Sequence, residues 1–221
     1  MTQAQTETQR TETHPLAKFW DRIAERYARK PVPNAEAYEA KLAMTRAVLR
    51  PEMEVLEFGC GTGSTALAHA PYVRRILATD IAPKMIEIAR RKAAAAGVET
   101  VQFACTDLAG VEAVPEGLDA VLGLNILHLV PDLDDAVTQV FGLLKPGGVF
   151  VSSTACLADF LPVFKWIGPV GYALGLIPFV KVFSSGELEA SLTRAGFIIE
   201  RRWQTSKKNG VFLIVRKPGG D

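Results

Sequence analysis

The sequence predicts an α/β protein with a Rossmann-like, doubly wound sheet of seven mostly parallel strands and an antiparallel last strand. Two observations carry this prediction. From residue 53 onward, short apolar or β-branched runs alternate with amphipathic helical segments, which is the pattern of βαβ units with helices on both faces of a sheet. The first of these runs ends in three alternating glycines that open a helix, as in open α/β sheets that bind nucleotide-like ligands.

The composition is that of a globular protein with a full hydrophobic core. Apolar residues make up 48% of the 221 residues, and this length favours one continuous domain. Lys and Arg number 25 against 24 Asp and Glu, so the net charge of +1 disfavours a dedicated nucleic-acid-binding protein. Cys60, Cys105 and Cys156 are scattered, which predicts neither a zinc site nor a disulfide framework. The cytoplasm is therefore the expected compartment.

The chain begins with a polar stretch and two helical patterns. Residues 1–14 are mostly Thr, Gln, Glu and Arg and offer little to bury, so we predict a disordered tail. Apolar side chains at helical spacing predict helices over 17–30 and 35–49, separated by a proline-containing break. These helices would form an N-terminal cap, over residues 15–50, on a single domain that extends from 15 to 221.

The strands and helices of the sheet region follow from apolar runs, caps and turns. Strands are expected over 53–58, 75–79, 100–104, 118–124, 149–153, 197–203 and 211–216. Helices are expected over 64–70, 83–96, 132–144 and 184–195. Asp132 is a plausible N-cap, and Ser184 with Glu187 reads as a capping box. The last two strands are expected to form an antiparallel hairpin.

The most informative segment is V-L-E-F-G-C-G-T-G, residues 55–63. Glycines also make bare turns, but alternating glycines let the backbone approach a ligand without an intervening Cβ. Asp80 ends the second strand, where a carboxylate can accept from ribose hydroxyls. The turn is G-x-G-x-G rather than the dinucleotide pattern G-x-G-x-x-G. The negative charge of Glu57 is awkward beside a pyrophosphate and suits a cationic ligand.

Five motifs occur in order along the chain, and together they resemble one family. They are E-F-G-C-G-T-G (57–63), D-I-A-P-K-M-I-E-I-A-R (80–90), Thr106-Asp107, L-D-A-V-L-G-L-N-I-L-H-L-V (118–130) and L-L-K-P-G-G-V-F (143–150). In these motifs the sequence resembles the class I S-adenosylmethionine-dependent methyltransferases, and within them the small-molecule enzymes that methylate quinones and lipids. The resemblance covers residues 17–216. It implies S-adenosylmethionine as the cofactor.

The resemblance also implies a set of cofactor contacts. These are Tyr27, Glu57, Gly59, Cys60, Gly61, Gly63, Asp80, Ile81, Thr106, Asp107 and Asn125. Glu57 would face the amino group of the cofactor, Asp80 the ribose hydroxyls and Asp107 the adenine amino group. Ile81 would pack on the adenine, and Tyr27 would close over the carboxylate of the cofactor. Alternatively, Tyr27 simply packs on the sheet and Asp107 is a solvated loop carboxylate.

His128 is the one candidate base for the reaction. Methyl transfer is an in-line displacement, and a base is needed only where the acceptor arrives protonated. His128 lies three residues after Asn125, just past the fourth strand, and a neutral imidazole could accept a proton at cell pH. The alternative is a histidine that packs between strand and helix.

Residues 157–183 form an apolar, irregular segment with three open interpretations. It is too short and too interrupted by glycine and proline to span a bilayer. It could be a lid-like insertion over the active site, a cover for the sheet, or a surface for peripheral membrane contact. As a lid it would line an apolar substrate pocket with Phe160, Phe164, Trp166, Tyr172 and Phe179. In the lid or membrane case the substrate would be a small apolar or amphipathic molecule.

Three functions remain open at this point. The leading one is methyl transfer to a small apolar or lipid-like acceptor. A nicotinamide-dependent oxidoreductase is opposed by the turn spacing and by Glu57. A non-catalytic cofactor-binding regulatory protein would keep the glycine turn and Asp80 but lack turnover. A nucleic-acid substrate is disfavoured, because N-I-L-H follows the fourth strand and no basic stripe interleaved with aromatics is present.

Overall fold

A computed structural model describes residues 14–112, 115–206 and 208–220 of the chain. The predicted disordered tail therefore lies outside the described residues, except for His14. The imidazole Nδ1 of His14 accepts a hydrogen bond of 3.2 Å from the backbone N–H of Leu16, directly ahead of the first helix.

A single seven-stranded sheet organises the protein, as the sequence predicts. Its strands are β1 (Glu54–Phe58), β2 (Arg75–Asp80), β3 (Val101–Cys105), β4 (Leu118–Leu124), β5 (Leu144–Thr154), β6 (Ile198–Trp203) and β7 (Val211–Arg216). The strand order is β3-β2-β1-β4-β5-β7-β6. The first five strands are parallel, and β7 runs antiparallel to both β5 and β6. The predicted fold class and the terminal hairpin are confirmed.

Helices cover both faces of the sheet. They are α1 (Ala17–Arg29), α2 (Ala35–Arg46), α3 (Ser64–His69), α4 (Pro83–Ala96), α5 (Leu133–Leu143), α6 (Phe164–Ala173) and α7 (Ser185–Arg194). One core cluster joins α5 and α7 to the sheet, and a second joins α3 and α4 to its other face. Helix α1 packs on α4 through Ala17 and Ala24, whose small side chains are fully buried.

Burial on both faces explains why the central strands read as continuous apolar runs. In β1, Val55, Leu56 and Phe58 are all buried, although their side chains alternate between the two faces. The predicted caps are present: Asp132 accepts from the amide of Asp135, and Ser184 forms a reciprocal capping box. The helix and strand identities therefore follow from local sequence.

Strand β5 begins earlier than the sequence predicts. It starts at Leu144 rather than at residue 149, so the K-P-G-G turn residues lie within the strand. Leu144 pairs with Leu118, and Val149 pairs with Ala120. Five steps along β5 therefore correspond to two steps along β4. Gly147, with a φ of +77°, accommodates this irregularity. Pairing with β4, which is a long-range contact, thus extends the strand through a segment that local chemistry marks as a turn.

The apolar segment 157–183 contains one short helix. After a 3-10 turn at Leu157–Asp159, helix α6 follows and contains Pro169. The chain then continues without regular structure to Phe183, which is buried in the core between α5 and α7. The segment thus leaves the sheet after β5 and returns to it at the start of α7.

We expect two glycines to tolerate alanine very differently. Gly63 (φ +74°) and Gly97 (φ +62°) are both left-handed, so alanine at either costs about 1–2 kcal/mol in backbone strain. A Cβ at Gly63 would also lie 2.9 Å from Ala89 and Phe103, whereas a Cβ at Gly97 meets nothing within 4 Å. Urea denaturation should therefore show that Gly63→Ala loses about 1–3 kcal/mol more stability than the control Gly97→Ala. Equal losses would contradict this packing.

Candidate functional site

A cavity of about 470 Å³ lies at the carboxyl ends of β1, β2, β3 and β4. This is the edge at which open parallel sheets bind their ligands. The link between α1 and α2 and the segment after β4 form further walls. Every residue to which the family resemblance assigns a cofactor contact lines the cavity, with the exception of Gly63. Segments distant in sequence therefore converge here.

Asp80 ties the glycine turn to the second strand. Its Oδ2 accepts a hydrogen bond of 2.9 Å from the amide of Gly61, and its Oδ1 accepts one of 2.9 Å from the amide of Ala82. Burial raises the pKa of this carboxyl, while the two amide bonds oppose the rise. Each carboxylate oxygen has a second acceptor position, so Asp80 retains capacity for two ligand hydroxyls.

Glu57 is a buried carboxyl with one unused oxygen. Its Oε1 accepts from the hydroxyl of Thr65, and its Oε2 has no hydrogen-bond partner among the described residues. The side chain is only 1% exposed. Burial raises the pKa of Glu57 to about 7, although the Thr65 hydroxyl works in the opposite direction. A buried, unpaired acceptor of this kind is costly, which marks it as a functional-site candidate.

The three glycines of the turn have different roles. A Cβ at Gly59 would lie 2.4 Å from the side chain of Ile126, so this glycine permits close packing rather than ligand approach. A Cβ at Gly61 would meet only the ring of Tyr27, at 4.0 Å, so the backbone of Gly61 lies open to the cavity. Gly63 is packed against α4 and lies outside the cavity lining. The turn thus offers the cavity one bare backbone position beneath the Tyr27 ring.

Two further predicted residues follow strands β3 and β4. Asp107 accepts a hydrogen bond of 2.9 Å from the amide of Gly110, and its Oδ2 lies 3.8 Å from Nε2 of His14. Asn125 has a φ of +59°, and its backbone N–H donates a hydrogen bond of 2.6 Å to the backbone carbonyl of Ser153. Both residues line the cavity, and the positive φ of Asn125 is the kind of backbone strain that clusters at functional sites.

His128 lies beside the cavity rather than in its lining. Leu129 and Val130 line the cavity, while His128 does not. Its carbonyl accepts from the amide of Lys181 at 2.8 Å, which joins the segment after β4 to the apolar segment. Burial lowers the pKa of His128 to about 4, so the ring is neutral at pH 7. Its role as a base stays a prediction.

Of the five aromatic residues predicted for a substrate pocket, Phe179 lines the cavity. Tyr172 packs edge-to-face against Phe179, with ring centroids 5.8 Å apart, and thus supports the wall from behind. Phe160, Phe164 and Trp166 lie outside the lining, and Trp166 is 77% exposed. The apolar segment therefore contributes its end, rather than its helix, to the cavity.

Sequence reasoning missed several lining residues on the helical cap. Trp20 and Tyr38 line the cavity, as do residues 31–33 of the link between α1 and α2. Trp20 and Tyr27 are seven residues apart on α1, and their rings meet edge-to-face at 6.2 Å. That helical spacing was a usable signal for Trp20. Nothing in the sequence shows how the link folds over the strand ends.

Several known proteins are similar in sequence to this region of the chain. A family model described as a methyltransferase domain matches residues 55–148. The uncharacterized methyltransferase YcgJ of Bacillus subtilis is 33% identical over 117 residues, which span 53% of this chain and 46% of that protein. A ubiquinone biosynthesis O-methyltransferase of Sinorhizobium medicae is 29% identical over an alignment 223 positions long, which covers 91% of this chain and 82% of the relative. Residues 55–148 of the chain are therefore a methyltransferase domain, and the relatives that it matches are named as methyltransferases.

Solved structures show the fold of this methyltransferase in other proteins. The structure of B. subtilis YcgJ matches with a TM-score of 0.67 at 20% identity and covers 82% of this chain and all of that one. The [4+2]-cyclase SpnF matches with the same TM-score over 83% and 82% of the two chains, again at 20% identity. At these identities the likeness establishes the fold alone.

The match to a methyltransferase domain confirms S-adenosylmethionine as the expected cofactor. Within the described ranges of the chain, no helix is long and apolar enough to cross a membrane.

The raised pKa of Glu57 predicts a pH dependence of stability. A carboxyl whose pKa rises from 4.5 to about 7 on folding stabilises the protein fully below pH 4.5, and that contribution disappears as pH rises through 7. Glu57→Gln cannot ionise, so by pH 8 it should be more stable than the wild type by up to roughly 3 kcal/mol. The two proteins should converge towards pH 4.5.

Urea titrations of both proteins across this pH range would measure the difference. Histidines with altered pKa values affect both proteins equally, so the difference isolates Glu57. A difference that stays constant with pH would contradict the raised pKa.

Proposed function

We propose that this protein transfers a methyl group from S-adenosylmethionine to a small apolar or lipid-like acceptor. The observation that carries the proposal is the pairing of two carboxylates at one cavity. Asp80 has acceptor capacity to spare beside the open backbone of Gly61, and Glu57 presents a buried oxygen without a partner. A ligand with both hydroxyls and positive charge satisfies the two carboxylates together.

The residues present fit this cofactor. Its sulfonium centre supplies an activated methyl group with a good leaving group. We assign the ribose hydroxyls to Asp80 and the amino group to Glu57, whose ionised form a neighbouring cation favours. We assign the adenine end to Thr106 and Asp107, after β3, and to Ile81, after β2.

The protein chain itself would position the reacting groups and shield them from water. In this proposal the cofactor is held between the strand ends and the cap by backbone groups at Gly61 and Asn125 and by the ring of Tyr27. Orientation of reacting groups supplies on the order of 7–11 kcal/mol in favourable intramolecular cases. With the cofactor bound, the helical cap would shield it from water, which strengthens the electrostatic contacts inside.

Apolar side chains line part of the cavity, and we assign the acceptor to that part. Leu129, Val130, Pro131, Phe179 and Val32 line it. The volume of the whole cavity, about 470 Å³, lies within the range of small-molecule sites, roughly 300–1,000 Å³. Several relatives are named ubiquinone biosynthesis O-methyltransferases, which supports a hydroxyl on an apolar ring compound as the acceptor. A cytoplasmic location stays a prediction from the scattered cysteines.

Turnover has to be measured, because this fold also carries other chemistry. SpnF, which has the same fold, is described as a [4+2]-cyclase. One scaffold hosts many functions, so the fold does not decide between catalysis and a non-catalytic cofactor-binding role. The nicotinamide alternative meets an electrostatic obstacle, because the ionised form of the buried Glu57 would repel a pyrophosphate.

The first test is cofactor affinity by titration calorimetry. The wild type should bind S-adenosylhomocysteine and show no comparable heat with NAD. Asp80→Ala should weaken binding at least tenfold, about 1.4 kcal/mol, because it removes both acceptors. The matched control Glu54→Gln changes a carboxylate at the opposite end of β1, which pairs with Arg75, and should leave affinity unchanged. Unchanged affinity in Asp80→Ala, or preferential binding of NAD, would overturn the site.

The second test is turnover with phenolic and quinol acceptors, followed by release of S-adenosylhomocysteine. If His128 takes the acceptor proton, His128→Ala should lower kcat at least tenfold and leave cofactor affinity and KM nearly unchanged. His69→Ala is the control for loss of a buried histidine, since His69 is fully buried outside the cavity lining. Intact turnover in His128→Ala would show that this histidine is structural.

A further inference from the structure

Helix α6 carries an apolar stripe that faces outwards. The stripe consists of Val163, Trp166, Ile167, Val170 and Leu174, whose exposed fractions range from 50% for Val163 to 77% for Trp166. At the helical rotation of about 100° per residue, these positions fall within about 100° of one another. A helix normally buries such a stripe against its own core. Here the stripe is turned away from the protein.

The body of the protein fixes this orientation of α6. Gly171 lies so close to Ile177 that an added Cβ would come within 3.0 Å of that side chain. Tyr172 packs on Phe179, which lines the cavity. The inner side of α6 is therefore occupied by the returning chain, and the outer stripe cannot turn inwards without breaking these contacts.

The segment that carries the stripe is positively charged. The segment between Asp159 and Glu187 contains two charged side chains, Lys165 and Lys181, and both are exposed. Arg22 of α1 reaches across to donate a hydrogen bond to a backbone carbonyl just past α6. The two flanking carboxylates are engaged by backbone amides at the start of α7. An apolar surface on a segment whose charged side chains are both lysines is complementary to anionic phospholipid.

We propose that the α6 stripe is a membrane-docking surface that inserts into the interface of a bilayer containing anionic lipid. Large exposed apolar patches on a folded protein mark interaction sites, and tryptophan at position 166 suits the boundary between headgroups and acyl chains. Tyr172, on the inner side of the same helix, packs on Phe179 of the cavity wall, so the stripe and the cavity lie on either side of α6. Resting on the proposed function, this proximity assigns the acceptor to molecules dissolved in the bilayer.

Vesicle co-sedimentation of the full chain tests the proposal without cofactor or acceptor. The protein should pellet with vesicles of phosphatidylcholine and phosphatidylglycerol, and much less with phosphatidylcholine alone. Added salt should weaken binding by screening the lysines. The double variant Trp166→Ser with Ile167→Ser should lower vesicle partitioning at least tenfold, about 1.4 kcal/mol.

Ile198→Ser is the matched control. Ile198 is 57% exposed, similar to Ile167 at 54%, but it lies on the edge strand β6. It should leave vesicle binding unchanged. Since all three side chains are exposed, thermal unfolding of the variants should stay close to that of the wild type. Equal loss in the control would show that binding is a non-specific property of apolar surface.

Other outcomes would overturn the docking surface while leaving the proposed function intact. One is a wild type that stays in the supernatant with both vesicle types yet binds S-adenosylhomocysteine. Another is a dimer in sedimentation velocity that dissociates in the Trp166→Ser, Ile167→Ser variant, because a second copy would then cover the stripe. Failure of cofactor binding with intact vesicle binding would instead count against the proposed function alone.

Discussion

The hydrogen bond from the amide of Gly61 to the carboxylate of Asp80 is the interaction on which the candidate site depends. It joins the turn after β1 to the end of β2, 19 residues further along the chain. The second oxygen of Asp80 holds the start of the next loop through Ala82. One carboxylate thus sets the shape of two loops and still has lone pairs directed at the cavity. Its burial raises its pKa, a cost that the two amide bonds partly offset.

Glu57 illustrates how a functional site departs from the rules that the rest of the core obeys. Apart from Glu54 at its start, the strand that carries Glu57 is apolar, and a buried carboxyl there weakens the fold at neutral pH. A sequence selected for stability alone would place an apolar residue at this position. The carboxyl is instead held by Thr65 with one oxygen free, which suits a ligand that brings its own positive charge. The carboxyl of Glu57 that destabilises the fold at neutral pH is thus also the proposed contact to the cofactor.

The apolar segment after β5 contributes at two levels. Its end folds back as a wall of the cavity at Phe179, and its helix projects an apolar stripe outwards. The sequence interpretations treated lid, sheet cover and membrane contact as alternatives. In the structure, cavity wall and exposed face coexist, because α6 uses one side for the returning chain and the other for the exterior.

The sequence by itself determined the seven strands, most helix boundaries and the cluster of polar residues at the strand ends. These follow from local chemistry: apolar periodicity, caps such as Asp132, and the fact that parallel strands end at one edge. Only the tertiary structure decided which glycine faces the cavity, that Trp20 and Tyr38 join its wall, and that His128 lies outside its lining. Each of those depends on packing between segments far apart in the chain, and no local pattern encodes the direction in which a side chain finally points.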